Sequence, residues 1–285
     1  MNREKHSWIY DVLFLLVFIL AGWLRLTGVA WGEGQHQHPD ENFLAGVLGS
    51  LSAQTCVDET VPIEACPDEQ RRWMSIGEYF DSKSSTLNPY NRGHSFFVYG
   101  NLPMTMVRVA ADAAGQVDVK MLGRQFSAMA DLFTILFLYL LVSRLYGRKV
   151  GLLASLFSAL TVMQIQQSHF FTTDLFVNMF AYLAIWFAVL IVENREQRIE
   201  AGGLRSSQLT SLKSLVSNPL FLISVGFGFA FGMAMASKVN IYPLAVLLPG
   251  AFALRYLTVD RGQMTEESPL SLREIAKHPE EKAEG

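Results

Sequence analysis

Charge is what this chain has least of. Asp, Glu, Lys and Arg make up 17% of its 285 residues, while 51% are hydrophobic; a soluble domain carries about 25% charged residues. So little solvated surface excludes an ordinary soluble enzyme, and so much apolar content excludes a disordered segment. Neither sign dominates. A net charge of −3 and a pI near 6.1 give no general attraction to nucleic acid, and no such partner is expected. Two cysteines in the whole chain exclude a disulfide-dense miniprotein. A Gly-rich phosphate loop, zinc-type Cys/His spacing, a Gly-x-Ser-x-Gly elbow, an Asn-x-Ser/Thr sequon and internal repeats are all missing. His36-Gln37-His38 offers two histidines without further ligands, too few for a metal centre.

What is present is a set of long uncharged runs. Crossing the hydrocarbon core takes roughly 20 mostly apolar residues in a helix. Six stretches meet or approach that: 8–26, 124–143, 150–165, 175–192, 219–237 and 239–254. The expected fold is an all-α polytopic membrane protein with about six transmembrane helices. Trp23, Leu24, Arg25 and Leu26 follow the first apolar run where a cleavage site would need small residues, so that span is expected to stay as an anchor. Gly226, Gly228 and Gly232, with Ala230, Ala234 and Ala236, give the fifth span small-residue packing surfaces.

Lys and Arg in short loops set sidedness. Arg3 and Lys5, then Arg144, Arg148 and Lys149, then Arg195, Arg198, Arg205 and Lys213 fall on one side, expected to be cytoplasmic with both termini. The long segment 27–123, the short connection 166–174 and the turn at Lys238 fall outside. Residues 1–257 read as one transmembrane module with outer loop 27–123, and 258–285 as a polar cytoplasmic tail. Within the outer loop, 52–87 reads as an exposed polar insertion. It holds both Cys56 and Cys66, ten positions apart, in a compartment where a disulfide persists; two free thiols are the alternative.

Polar chemistry collects in the outer loop. His38-Pro39-Asp40-Glu41 opens an amphipathic stretch, 42–51. Pro39 suits a first helical turn, and the two carboxylates sit at the helix's positive end. Capping alone explains such acids, at about 0.3–1 kcal/mol. The case for chemistry is their company, since His38, Arg92, His94, His169, Asp174 and Lys238 map to the same membrane face. After an aromatic run, 95–102, the spacing of 103–114 fits a helix lying on the membrane surface. Asp174 also suits the N-cap of the fourth span, and Lys238 is either a ligand for an anionic group or a snorkelling lysine. Asp131 lies inside the second span, two turns after Arg124 on the same face. An ionisable group there is functional by default, but its depth, away from the outer cluster, favours an internal ion pair with an arginine of another helix.

In this order and sidedness, the motifs His38–Phe43, Asn88–Pro103 (with Tyr99-Gly100-Asn101-Leu102-Pro103), Leu122–Asp131, Tyr146-Gly147-Arg148, Gln164–Asp174 and Gly232–Tyr242 resemble the N-terminal module of the GT-C glycosyltransferases. These are integral membrane enzymes of the bacterial phospholipid carrier-dependent type, with protein O-mannosyltransferases and aminoarabinose transferases as relatives. The resemblance implies a sugar donor on a polyprenyl phosphate, transferred with inversion on the extracytoplasmic face of a bacterial plasma membrane. It implies Asp40 as the base and Glu41 as the residue that orients it or the acceptor. Lys238 is the best-matched cation for the leaving phosphate; His38, Arg92, His94 and His169 are further binding candidates. Asp174 matches a second acidic position, a place for the acceptor or for a divalent metal such as magnesium or manganese. Full-length members carry further spans, so the chain is expected to be an N-terminal part, or half of a split enzyme whose second subunit supplies the missing helices. A non-catalytic subunit is the competing reading. A transporter would call for inverted repeats and helices broken near midplane, which the sequence does not suggest.

Overall fold

The computed structural model describes residues 7–32, 38–58, 60–115, 118–194 and 218–258. Arg3, Lys5, His36, Arg195, Arg198, Arg205, Lys213 and all of the expected tail but Thr258 lie outside the described residues. The chain divides into two compact units, one made of Met1–Leu183 with Phe229–Pro243, the other of Ala184–Gly228 with Leu244–Gly285.

It is an all-α polytopic membrane protein. Among the described residues, five helices are long and apolar enough to cross a bilayer: α1 (Ser7–Leu26), α5 (Val119–Tyr146), α8 (Thr173–Glu193), α9 (Pro219–Ser237) and α10 (Val239–Thr258). The expected third span is not one helix. It is α6 (Arg148–Leu160) followed by α7 (Val162–Ser168), bent by 60° at Thr161. Thirteen residues of α6 rise only about 20 Å, short of the roughly 30 Å hydrocarbon core.

In the first unit, α1 and α5 pair antiparallel, with Gly22 against Leu132 and the Phe14 ring stacked on Tyr139 at 3.9 Å. At one end of this pair, Arg148 at the start of α6 meets Asp11 at 3.2 Å. Deeper inside, Arg25 of α1 reaches Asp131 of α5 at 2.5 Å, with both side chains at most 2% exposed. Arg25 also donates to the carbonyls of Ala159 (3.0 Å) and Ser158 (3.1 Å). It thereby adds donors to carbonyls in the last turn of α6, where Ser158 otherwise has the long Thr161 amide contact at 3.3 Å. Asp131 is therefore an ion-pair partner, and its arginine is Arg25 rather than Arg124.

The 27–123 segment builds the other end. Residues 44, 47 and 48 of α2 (Pro39–Ser50) share one face, as do 104, 107 and 111 of α4 (Leu102–Ala114). Leu44, Val47, Leu48, Met104 and Val107 pack with Phe171, Leu175 and Phe176 in one buried cluster, each fully buried side chain contributing about 1.5–3 kcal/mol. The polar insertion is a small stapled unit. Strands β1 (Gln54–Cys56) and β2 (Arg71–Trp73) pair antiparallel, Cys56 opposite Arg71, and Cys56 is disulfide-bonded to Cys66. A capping box from Ser75 and Glu78 starts α3 (Ile76–Phe80), and Glu78 takes both arms of the Arg72 guanidinium at 2.6 and 2.9 Å.

In the second unit, the Phe187 ring lies where a Cβ on Gly226 would stand, 2.6 Å from its nearest atom, the small-residue packing expected of α9. Arg255 closes onto the Asn194 carbonyl at 2.7 Å.

Candidate functional site

Adjacent residues on a helix point about 100° apart, so Asp40 and Glu41 cannot share a task by facing the same way. Glu41 turns inward and is fully buried. Its two oxygens accept from Nε and Nη2 of Arg124 at 2.6 and 2.8 Å, and the Phe171 amide donates to it at 2.9 Å. Lys120 stands 3.5 Å away. Arg124 donates in addition to the carbonyls of Val29 and Trp31. Burial pushes the Glu41 carboxyl up, but the Arg124 and Phe171 hydrogen bonds and the nearby cations outweigh it and hold the group below its ordinary range. Such a carboxylate has no edge left for a substrate. Expected to orient Asp40 or the acceptor, Glu41 ties α2 to α5 and to the segment leading into α8.

Asp40 is half-buried at the edge of the first turn. One turn on, Phe43 projects from the same face, and the Tyr99 ring packs against it at 5.9 Å. Burial, the neighbouring Asp40 carboxylate and the charge of Asp174 together raise the Tyr99 phenol above its ordinary value. The segment carrying Tyr99 is held from three sides. Tyr90 Oη donates to the Phe97 carbonyl at 2.8 Å, Asn101 to Leu87 at 3.0 Å, and the Gly100 amide to the Ser237 carbonyl at 3.0 Å. Gly100 has no room for a side chain, since a Cβ there would stand 2.1 Å from the Ala236 oxygen. That close approach sets Tyr99 next to the C-terminus of α9, where Lys238 follows and pairs with Asp174 at 2.6 Å. Asp40, Tyr99, Asp174 and Lys238 thus form one polar cluster in the first unit.

The remaining candidates sit elsewhere or are engaged. His38 precedes the cluster, its ring 4.8 Å from Phe170 and its Nδ1 buried without a partner. His169 closes α7 and meets the Thr27 carbonyl through Nε2 at 3.0 Å; a carbonyl only accepts, so Nε2 carries the proton. Arg92 and His94 are not beside Asp40. Arg92 donates to the Ser50 carbonyl at 2.7 Å and pairs with Glu64, and His94 meets Ser50 Oγ at 2.8 Å. Ser50 ends the helix that Asp40 begins, roughly 15 Å along its axis. Among the described residues no three His, Cys, Asp or Glu side chains converge as a metal-binding set. Asp174, a candidate place for the acceptor or for a divalent ion, is paired with Lys238. The described residues around it do not fit such an ion.

Tyr99 is the member that sequence reasoning quoted in a motif without a role. Its only signal was a phenol in the aromatic run ahead of Pro103; the carboxylate near it lies 59 positions earlier.

Residues 116–201 match the family model of the dolichyl-phosphate-mannose-protein mannosyltransferases. That family is of GT-C type, and the match covers less than a third of the chain. The matched segment contains α5 to α8, and with them Arg124, Asp131, His169 and Asp174, while Asp40, Tyr99 and Lys238 lie outside it. The match supports, in general terms, a glycosyltransferase with a lipid-linked sugar donor in a membrane lipid environment. No curated protein and no solved structure matches the chain.

Proposed function

We propose that the protein transfers a sugar from a polyprenyl-phosphate carrier to an acceptor hydroxyl on the extracytoplasmic face of a bacterial plasma membrane, with inversion at the anomeric carbon. The observation that carries this reading is the cluster itself: a half-buried carboxylate, Asp40, near the Tyr99 phenol and the Asp174–Lys238 ion pair, at the end of the first unit built by the 27–123 segment. Basic residues concentrated in the opposite loops support an extracytoplasmic position for that end.

In this reaction Asp40 accepts the proton of the acceptor hydroxyl as its oxygen bonds to the anomeric carbon. The bond from that carbon to the phosphate oxygen breaks, and its electron pair leaves with the polyprenyl phosphate. Negative charge grows on the phosphate as the bond breaks, so a fixed cation stabilises the transition state more than the ground state. Lys238 supplies it. Its ammonium has three donors, enough to keep Asp174 while meeting a phosphate oxygen. Glu41 acts behind Asp40 as an anchor.

The test is transfer by purified protein in lipid, offered a panel of polyprenyl-phosphate sugars. Asp40→Asn is expected to abolish transfer while leaving membrane insertion intact, and Lys238→Ala to weaken turnover and donor binding together. Wild-type turnover in Asp40→Asn would remove the base assignment.

A further inference from the structure

We infer that a pocket at the opposite end of α2 from Asp40 is a binding site for a phosphoryl group on a small polar ligand, held by the guanidinium groups of Arg71, Arg92 and Arg108. The inference is independent of the glycosyl-transfer reading above.

Separate stretches of the 27–123 segment converge on this pocket. Its lining includes Ser50 and Ser52 at and just beyond the end of α2, Glu64 of the disulfide loop, Arg71 of β2, Arg92, and Arg108 of α4. The cavity measures about 320 Å³, at the small end of the roughly 300–1,000 Å³ of ligand sites. Three arginines against one acid give the wall an excess of positive charge. The three side chains are at most 34% exposed, and backbone carbonyls pin them. Arg71 donates through Nε to the Cys66 carbonyl at 3.2 Å, Arg92 through Nε to the Ser50 carbonyl at 2.7 Å, and Arg108 through Nη1 to the Leu48 carbonyl at 3.5 Å. A guanidinium carries five N–H donors, so donors remain. Among the described residues, Nε of Arg108 is buried with no acceptor, and a buried donor left unfilled is costly.

The acids nearby do not cancel the site. Asp68, the partner of Arg71, is 89% exposed. Asp112, the partner of Arg108, also accepts the Ala53 amide at 2.7 Å. Glu64 is different, because it lines the cavity and pairs with Arg92. Its side chain is 58% exposed where that of Arg92 is 18%. The guanidinium is therefore the fixed member of the pair and the carboxylate the solvated one, which an incoming anion of higher charge displaces. Glu64 marks where an anionic oxygen is accepted.

The arrangement selects among anions. A carboxylate presents one planar edge and suits one fork, whereas a phosphate monoester presents three outer oxygens and carries close to two negative charges at neutral pH. That matches guanidiniums arriving from three parts of the chain. Ser50 and Ser52 add hydroxyls for the polar body of the ligand. A phosphomonoester lipid headgroup and a soluble sugar phosphate both present this chemistry.

Calorimetric titration of the full chain in detergent with glucose 6-phosphate tests the soluble source. Thermal stabilisation in phosphatidylcholine nanodiscs containing phosphatidic acid, against phosphatidylcholine alone, tests the headgroup. Binding in either arm, with none to uncharged glucose, supports the site. Arg92→Gln and Arg108→Gln are each expected to weaken it about tenfold, the loss of one hydrogen bond to a charged group. Glu64→Gln should tighten it severalfold by removing the internal competitor, a gain that a merely structural role would not produce. Silence in both arms would overturn the inference, as would equal binding of glucose, unchanged affinity in the arginine variants, or no gain in Glu64→Gln. Should the two arginine variants elute as aggregates, Arg71→Gln and Glu64→Gln decide, the first expected to weaken binding and the second to strengthen it.

Discussion

Glu41 and Asp40 show how far one peptide bond can separate two carboxylates. The inward one carries charge into a place without water, and the Arg124 fork makes that tolerable. Breaking such a pair by removing one partner strands the other charge, at a cost of about 3–5 kcal/mol. Arg124→Ala and Glu41→Gln are therefore both expected to lower the unfolding temperature in detergent, since the first strands the Glu41 carboxylate and the second the buried Arg124 guanidinium. The pH dependence has a definite sign. Glu41 holds its proton less readily in the folded chain than its ordinary value of 4.5 implies, so protonation favours the unfolded state. Its contribution is present in full above about that value and is lost as pH falls through the lower folded one. Thermal melts of the wild type against Glu41→Gln, run from pH 7 to pH 3, should converge only at the acid end.

At the scale of elements, the site depends on joints rather than on any single helix. Gly100 is one. A methyl group there meets the Ala236 carbonyl, and either the 97–101 segment or the end of α9 must move. Overpacking of this kind typically costs about 1–3 kcal/mol. Gly100→Ala is expected to lose most transfer activity at a much smaller cost in melting temperature, because the shift falls between Tyr99 and Lys238. A joint of another kind is the Cys56–Cys66 disulfide, whose loop contains Glu64, the partner of Arg92, which in turn holds the last carbonyl of α2. Limited trypsinolysis should cut at Arg71 or Arg72 after Cys56→Ser and spare them in the oxidised wild type. These joints also mark where the sequence was readable. Apolar runs declare spans, and periodic 44/47/48 and 104/107/111 declare interfacial faces, because both are local patterns. The break at Thr161 has no proline or glycine to announce it. The β1–β2 pair hides in six strand residues inside a polar stretch, and Arg92 and His94, neighbours of the site by sidedness, lie a helix length away from it.

For the whole molecule, polar groups divide between two depths. One set, near the start of α2, is available to chemistry; the other, Arg25 with Asp131, is sealed among α1, α5 and α6. Sidedness grouped the first set on one face but could not sort its members, since hydrogen-bond partners such as Glu41 and Arg124 are 83 positions apart. Asp131 was legible as an ion-pair residue from its depth, its partner only from the fold. Asp131→Asn and Arg25→Ala should both reduce the yield of folded protein, and Arg25→Ala more, since it also takes donors from the α6 carbonyls; size-exclusion profiles after extraction would report it.

That arginine has a consequence for biogenesis. During synthesis α1 leaves the ribosome first, yet the carboxylate that Arg25 needs is made 106 residues later and the Ala159 carbonyl 134 residues later. Until then the first helix is held at the translocon or in the lipid with an unmatched cation near its end. A series of nascent chains stalled at increasing lengths should therefore show α1 extractable by alkaline carbonate while short, and resistant once residues 131 and 158–159 have emerged.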